Sequence, residues 1–209
     1  MKIDYDIEAL RSNVISHRRW LHRHPQTGFA ETMARDYIMD VLKALEYDEV
    51  SNLAKTGVKA VLYGKENGST IAFRADMDAL AIDEKTGLEY ASKHSGYMHA
   101  CGHDGHMAIL LGFAQWLSQN RRHLKHNVVL LFQPAEESVG GAMQMISEGA
   151  LDNPKADYIF GYHIMPEIPQ GKIGLKEGPL MAATSEFSID IYGARAHGAM
   201  PHRGIDTIL

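Results

Sequence analysis

The chain has 209 residues, 45% hydrophobic and 22% charged, with a formal net charge of −5. That is enough apolar chain for a real core. It lacks the basic balance that binding to a phosphate backbone requires, so nucleic acid is not expected as a partner. The single cysteine, Cys101, excludes an intrachain disulfide framework and suits a reducing compartment. The N-terminus "MKIDYDIEALRSN" is charged and has no apolar signal core, and no apolar run approaches bilayer length. The expectation is a cytoplasmic protein without a membrane partner.

Ile7, Leu10, Val14 and Leu21 recur at helical spacing, which predicts a helix over residues 6–23. "HPQTG" breaks it. Tyr37, Ile38, Val41, Leu42 and Leu45 mark a second helix. Two short apolar runs follow, "KAVLYG" (59–64) and "TIAFRAD" (70–76), and "GKENG" reads as a hairpin connection between them. Met107, Leu110, Leu111, Ala114 and Leu117 form a strong helical stripe. "NVVLLFQ" (127–133) and "ADYIFGYHI" (156–164) look like strands buried on both faces, with a helix over about 142–148 between them, stopped by Gly149. Alternating strands and helices predict an α/β fold, a mixed sheet sandwiched by helices. The character changes near "KEGPLMAATS" (176–185), and "EFSIDIYG" then alternates like a half-solvated strand. The expected division is a catalytic-domain segment over 1–183 and the start of a second domain over 184–209. "RRHLKH" (121–126) reads as a solvated helix end, where cations suit the helix dipole.

The chemistry concentrates in "MHACGHDGHMAILL" (98–111). Cys101 and His103 cannot share a helix face at a spacing of two. In a loop they can, and Gly102 permits the path. Asp104 then reads as the N-cap of the following helix. Thiolate and imidazole at this density point to a zinc-like ion. "QPAEES" places Glu136 and Glu137 after a buried strand, where one carboxylate can bind metal while the other faces a water to be activated. His163 in "GYHIMP" and Asp76 in "RADMDA" also close strands; Asp76 can orient a ligand, or pair with Arg74. Each signal alone has a bland structural explanation. Together they describe one metal site at a common sheet rim.

"FRADMDAL", "MHACGHDGH", "QPAEE", "GYHIMP" and "GPLMAA…HGAMPH", in this order, resemble the metal-dependent amidohydrolase branch of the aminoacylase/carboxypeptidase superfamily. That branch includes hippurate hydrolases, N-acyl amino acid amidohydrolases, auxin-conjugate hydrolases and N-acetyl-diaminopimelate deacetylases. The resemblance implies hydrolysis of an N-acyl amino acid, a small-molecule substrate, by metal-activated water. It implies two divalent ions (Zn, Mn, Co or Ni) on Cys101, His103, Glu137 and His163, with Cys101 as the bridge. Glu136 matches the general base, Asp76 the carboxylate supporting the site, and His197 a lid-domain histidine that polarises the scissile carbonyl. His99, His106 and His202 are left as shaping residues, and His22 and His24 as structural ones. A homodimer is the implied assembly. Family members are longer, and the resemblance is to their N-terminal part; a last histidine ligand lies near their C-terminus. The alternatives are a cysteine-nucleophile hydrolase built on Cys101, a module that only binds metal, and an inactive fragment of the family.

Overall fold

The computed structural model describes residues 8–66, 68–138, 140–183, 185 and 187–208. The chain divides into two compact units, Met1–Met165 and Pro166–Leu209.

In the first unit a 3-10 turn, Glu8–Leu10, leads into α1 (Arg11–Arg23) and then α2 (Thr32–Ala44). Residues 6 and 7 of the predicted first helix lie outside the described residues. Ala34, Ile38 and Leu42 of α2 are buried at a spacing of four, one stripe of a helix lying on a sheet. The strands are β1 (Glu49–Leu53), β2 (Gly57–Leu62) and β3 (Thr70–Asp76), followed by α3 (His103–Gln119), β4 (Asn127–Gln133), α4 (Gly141–Ser147) and β5 (Tyr158–Gly161). They form one mixed sheet in the order β1-β2-β4-β3-β5, with β3, β4 and β5 mutually parallel.

β4 is the centre, and its side chains alternate between two cores. Val128, Leu130 and Phe132 join Leu110, Leu111 and Ala114 of α3 and Ile38 and Leu42 of α2. Val129 and Leu131 join Met145 of α4 and Ala150 on the other face. The expected sandwich of a mixed sheet between helices is therefore present.

Four local expectations fail. "GKENG" is not a hairpin turn: β2 and β3 each pair with β4, on opposite sides of it. The hairpin is β1–β2, closed by Ala54 and Lys55 at positive φ, and β1 has too little apolar pattern to be seen in sequence. Residues 158–161 are not a buried strand. β5 is an edge bonded only to β3, and Tyr158, Ile159 and Phe160 are each more than half exposed. Asp104 does not cap α3; Gly102, at φ 87°, holds the N-cap position, and the Asp104 side chain turns into the interior instead. In the second unit "EFSIDIYG" forms no ladder among the described residues, where the one pairing is the bridge Ala194↔Ile205. A strand exists only with a neighbour, so alternation alone cannot make one.

Candidate metal centre

Three parallel strands end side by side. Asp76 at the end of β3 pairs in register with Gln133 at the end of β4, and Arg74 with Gly161 of β5. Residues just beyond those ends, and at the N-terminus of α3, therefore meet at one rim, the usual location of a site in an open α/β sheet.

His103 is fully buried in the first turn of α3. Its Nδ1 lies 2.9 Å from the backbone carbonyl of Asp78. A carbonyl only accepts, so Nδ1 carries the hydrogen and donates it. Nε2, at the other side of the ring, is buried without a hydrogen-bond partner among the described residues. It faces Asp76 Oδ2 at 3.6 Å and Glu137 Oε1 at 3.8 Å. Cys101 Sγ stands 3.4 Å from His163 Nε2. His163 Nδ1 in turn donates to the Ile164 carbonyl at 2.7 Å, which leaves Nε2 as an acceptor. Cys101, His103 and His163 offer ligand atoms all within 4.8 Å of one another, and so do His103, Glu136 and Glu137. Tetrahedral Zn–N and Zn–S bonds separate neighbouring ligand atoms by about 3.5 Å. The donor set, the spacing and the free Nε2 of His103 fit a divalent cation.

The electrostatics agree. Burial, then hydrogen bonding and repulsion from Glu137, push the Cys101 thiol up to about 12. Burial disfavours a charged His103, but Asp78 and Asp76 outweigh it and raise its pKa. Nearby carboxylates act in the same direction on both groups, as the main raising influence on His103 and as a smaller one than burial on Cys101, and a cation bound among them would offset that negative charge.

Asp78 organises the turn that carries the carboxylates. Its Oδ1 accepts the Glu136 N–H at 3.0 Å and its Oδ2 the Glu137 N–H at 2.9 Å. Asp76 accepts from His106 Nδ1 at 2.6 Å and from Arg74 at 2.8 Å. His106 Nε2 accepts the Ile164 N–H at 2.9 Å, so both its nitrogens are engaged and it fixes the segment after His163. The structure thus brings together Cys101, His103, Glu136, Glu137, His163 and Asp76. His197 lies in the second unit, exposed, its Nδ1 accepting the Ala199 N–H.

Sequence reasoning sees Asp78 beside Asp76 in "RADMDA" but gives it no task of its own. Asp104 has a different task from capping. It is buried and accepts from His22 Nδ1 at 2.8 Å and from Arg18 at 3.2 Å. His22 Nε2 reaches Glu84 at 3.2 Å. The hydrogen bond that His22 donates to Asp104 raises the His22 pKa against the opposing effect of burial. His22 thus ties α1 to the first turn of α3. His99 is buried, and burial lowers its pKa to about 4, a neutral ring.

Residues 72–206 match the profile of peptidase family M20/M25/M40. The chain belongs to this family. It is 47% identical over 204 residues to an N-acetyl-L-cysteine deacetylase of Bacillus subtilis, covering 98% of this chain and 49% of that protein. It is 44% identical over 203 residues to an N-acyl-L-amino acid amidohydrolase of Geobacillus stearothermophilus, covering 97% and 54%. Among solved structures it resembles a dinuclear metal binding peptidase of the M20 family from Bacillus subtilis, with a TM-score of 0.78 and 44% identity over 83% of this chain and 48% of that one. This M20 chain spans about half the length of the curated relatives it matches.

Proposed function

We propose that this M20 chain carries the metal centre of an amidohydrolase that splits the amide of N-acyl amino acids, using two divalent ions (Zn, Mn, Co or Ni) held by Cys101, His103, Glu137 and His163. The observation that carries this reading is the meeting of those side chains at one rim around the unpartnered Nε2 of His103. Divalent ions there would acidify a water and polarise the acyl carbonyl. Glu136 lies exposed beside Glu137, its backbone held by Asp78. It takes the water's proton and passes it to the leaving amine. Asp76 fixes His106 and Arg74 beneath the ligands. His197 serves to polarise the carbonyl from residues 184–209, read as the start of a lid and dimerisation domain. The reading extends to a homodimer in the cytoplasm, supported by the family resemblance and by the single cysteine. The relatives, deacetylases and amidohydrolases of N-acyl amino acids, support the substrate class.

A cysteine nucleophile is the weaker reading. It needs a lowered thiol pKa, and the surroundings of Cys101 raise it. The test is Glu136→Gln, with metal content measured beside hydrolysis of a panel of N-acetyl and N-benzoyl amino acids. The substitution is expected to lower kcat by about 10²–10⁴-fold with metal retained. Full activity in the metal-loaded variant would refute the base assignment. Irreversible loss on alkylation with no effect of chelator would favour the thiol route.

A further inference from the structure

Glu31 occupies the N-cap position of α2, where Ser, Thr, Asp or Asn usually accepts from the helix amides. Its side chain makes no capping bond. It is completely buried, at 0% exposure. A carboxylate taken out of water costs several kcal/mol unless its oxygens are satisfied, so its partners show what it is for. One is its own backbone N–H; the other two lie on other segments. Thr56 Oγ1, in the β1–β2 turn, donates to Glu31 Oε2 at 2.5 Å. The backbone N–H of Ala135, 104 residues away, donates to Glu31 Oε1 at 2.9 Å.

Ala135 is the residue immediately before Glu136, and it sits at φ 51°. That left-handed conformation is unfavourable for alanine by about 1–2 kcal/mol and must be held by its surroundings. The hold is specific. Three successive amides, those of Ala135, Glu136 and Glu137, are accepted by two buried carboxylates, Glu31 for the first and Asp78 for the next two. The same N-terminal segment presses on the turn from below: a Cβ on Gly28 would come within 2.9 Å of the Ala135 Cβ. Only glycine allows so close an approach.

We propose that Glu31 is a positioning residue of the metal centre: with Gly28 and Thr56 it locks Ala135 in the left-handed conformation that aims Glu136 and Glu137 at the rim. This rests on the metal reading of the site but assigns a task to a residue outside it. Glu31 touches neither ligand side chain nor substrate; it acts through the backbone it holds.

The experiment uses the full 209-residue chain, freed of metal. Amide hydrogen exchange is followed at Ala135–Glu137, and Co²⁺ is titrated in while thiolate-to-cobalt absorption is read. In Glu31→Ala the three amides should lose protection while the amides of β4 keep theirs, and Co²⁺ affinity should fall about 10–100-fold. Glu31→Gln retains an acceptor oxygen of the same reach and should restore most of both. Unchanged exchange at Ala135–Glu137 in Glu31→Ala would overturn the proposal. So would equal losses in the Ala and Gln variants spread over the whole sheet, since that describes a residue that only stabilises the fold. If wild type takes up no cobalt, the metal reading fails by itself, and the exchange result still decides whether Glu31 holds the turn. Should Glu31→Ala not fold, Thr56→Val removes one donor from the same carboxylate and is expected to shift both readouts in the same direction, and no shift would overturn the proposal.

Discussion

β4 and β5 are parallel strands of one sheet, both written in apolar residues, and they have opposite fates. Val128–Phe132 are buried on both faces, while Tyr158, Ile159 and Phe160 face solvent. The difference is neighbours. β4 lies between β2 and β3, under α2 and α3 on one side and α4 on the other, whereas β5 has β3 alone. An apolar run states what a segment can bury. Only its place in the sheet decides what it does bury.

The sharpest way to break that comparison is to truncate matched residues in the two strands and measure urea unfolding. Leu130→Ala should cost about 2–5 kcal/mol, because the cavity opens in the shared core. If it costs no more than a change in β5, the central role of β4 is wrong. Next is the buried network at the base of α3. His22→Ala leaves Glu84 without its cation and Asp104 with only the half-exposed Arg18, and should cost about 3 kcal/mol. The sign of its pH dependence follows from the shifts. The raised His22 pKa gives stability that is complete below 6.5 and fades as pH rises through the raised value. The lowered Asp104 and Glu84 pKa values give stability present above 3.8 and 4.5 and lost as pH falls further. The gap between wild type and variant should therefore be widest between pH 4.5 and 6.5, and a gap that widens above neutrality would refute the ion network.

Asp78→Ala should then weaken Co²⁺ binding about 10–100-fold, about 1.4–2.7 kcal/mol, since it frees the Glu136 and Glu137 amides and removes the carboxylate 3.4 Å from His103 Nδ1, although the bond from that ring to the backbone carbonyl of residue 78 remains. Unaltered affinity would mean that the carboxylate turn needs no such support. The smallest effect is expected at Phe160, which stacks on Phe73 with ring centroids 5.6 Å apart but stays 55% exposed. Phe160→Ala should change stability by less than about 1 kcal/mol. A loss comparable to that of Leu130→Ala would show that β5 is covered in solution.

Much of the site was legible because its residues cluster in sequence. Cys101, His103, Glu136, Glu137 and His163 were named from ligand chemistry and strand ends, and the structure draws them to one rim. The strand limits 70–76 and 127–133 and the α3 stripe were legible for the same reason: their periodicity is local and strong. Glu31 and the tasks of Asp78 and Asp104 were not. Glu31 acts on Ala135 and His22 acts on Asp104, pairs separated by 104 and 82 residues, and no local pattern encodes which distant donor will meet a buried carboxylate. The hairpin reading of "GKENG" failed likewise, because β4 arrives later in the chain and inserts between β2 and β3.

By itself, then, the sequence determined the ligand types, the segment that carries them and the apolar runs able to form a sheet, all properties of composition and short-range spacing. Strand order, the exposure of β5 and the carboxylates that brace the metal-binding turn were decided by tertiary structure alone, because burial and hydrogen-bond partnership depend on which segments come together in space.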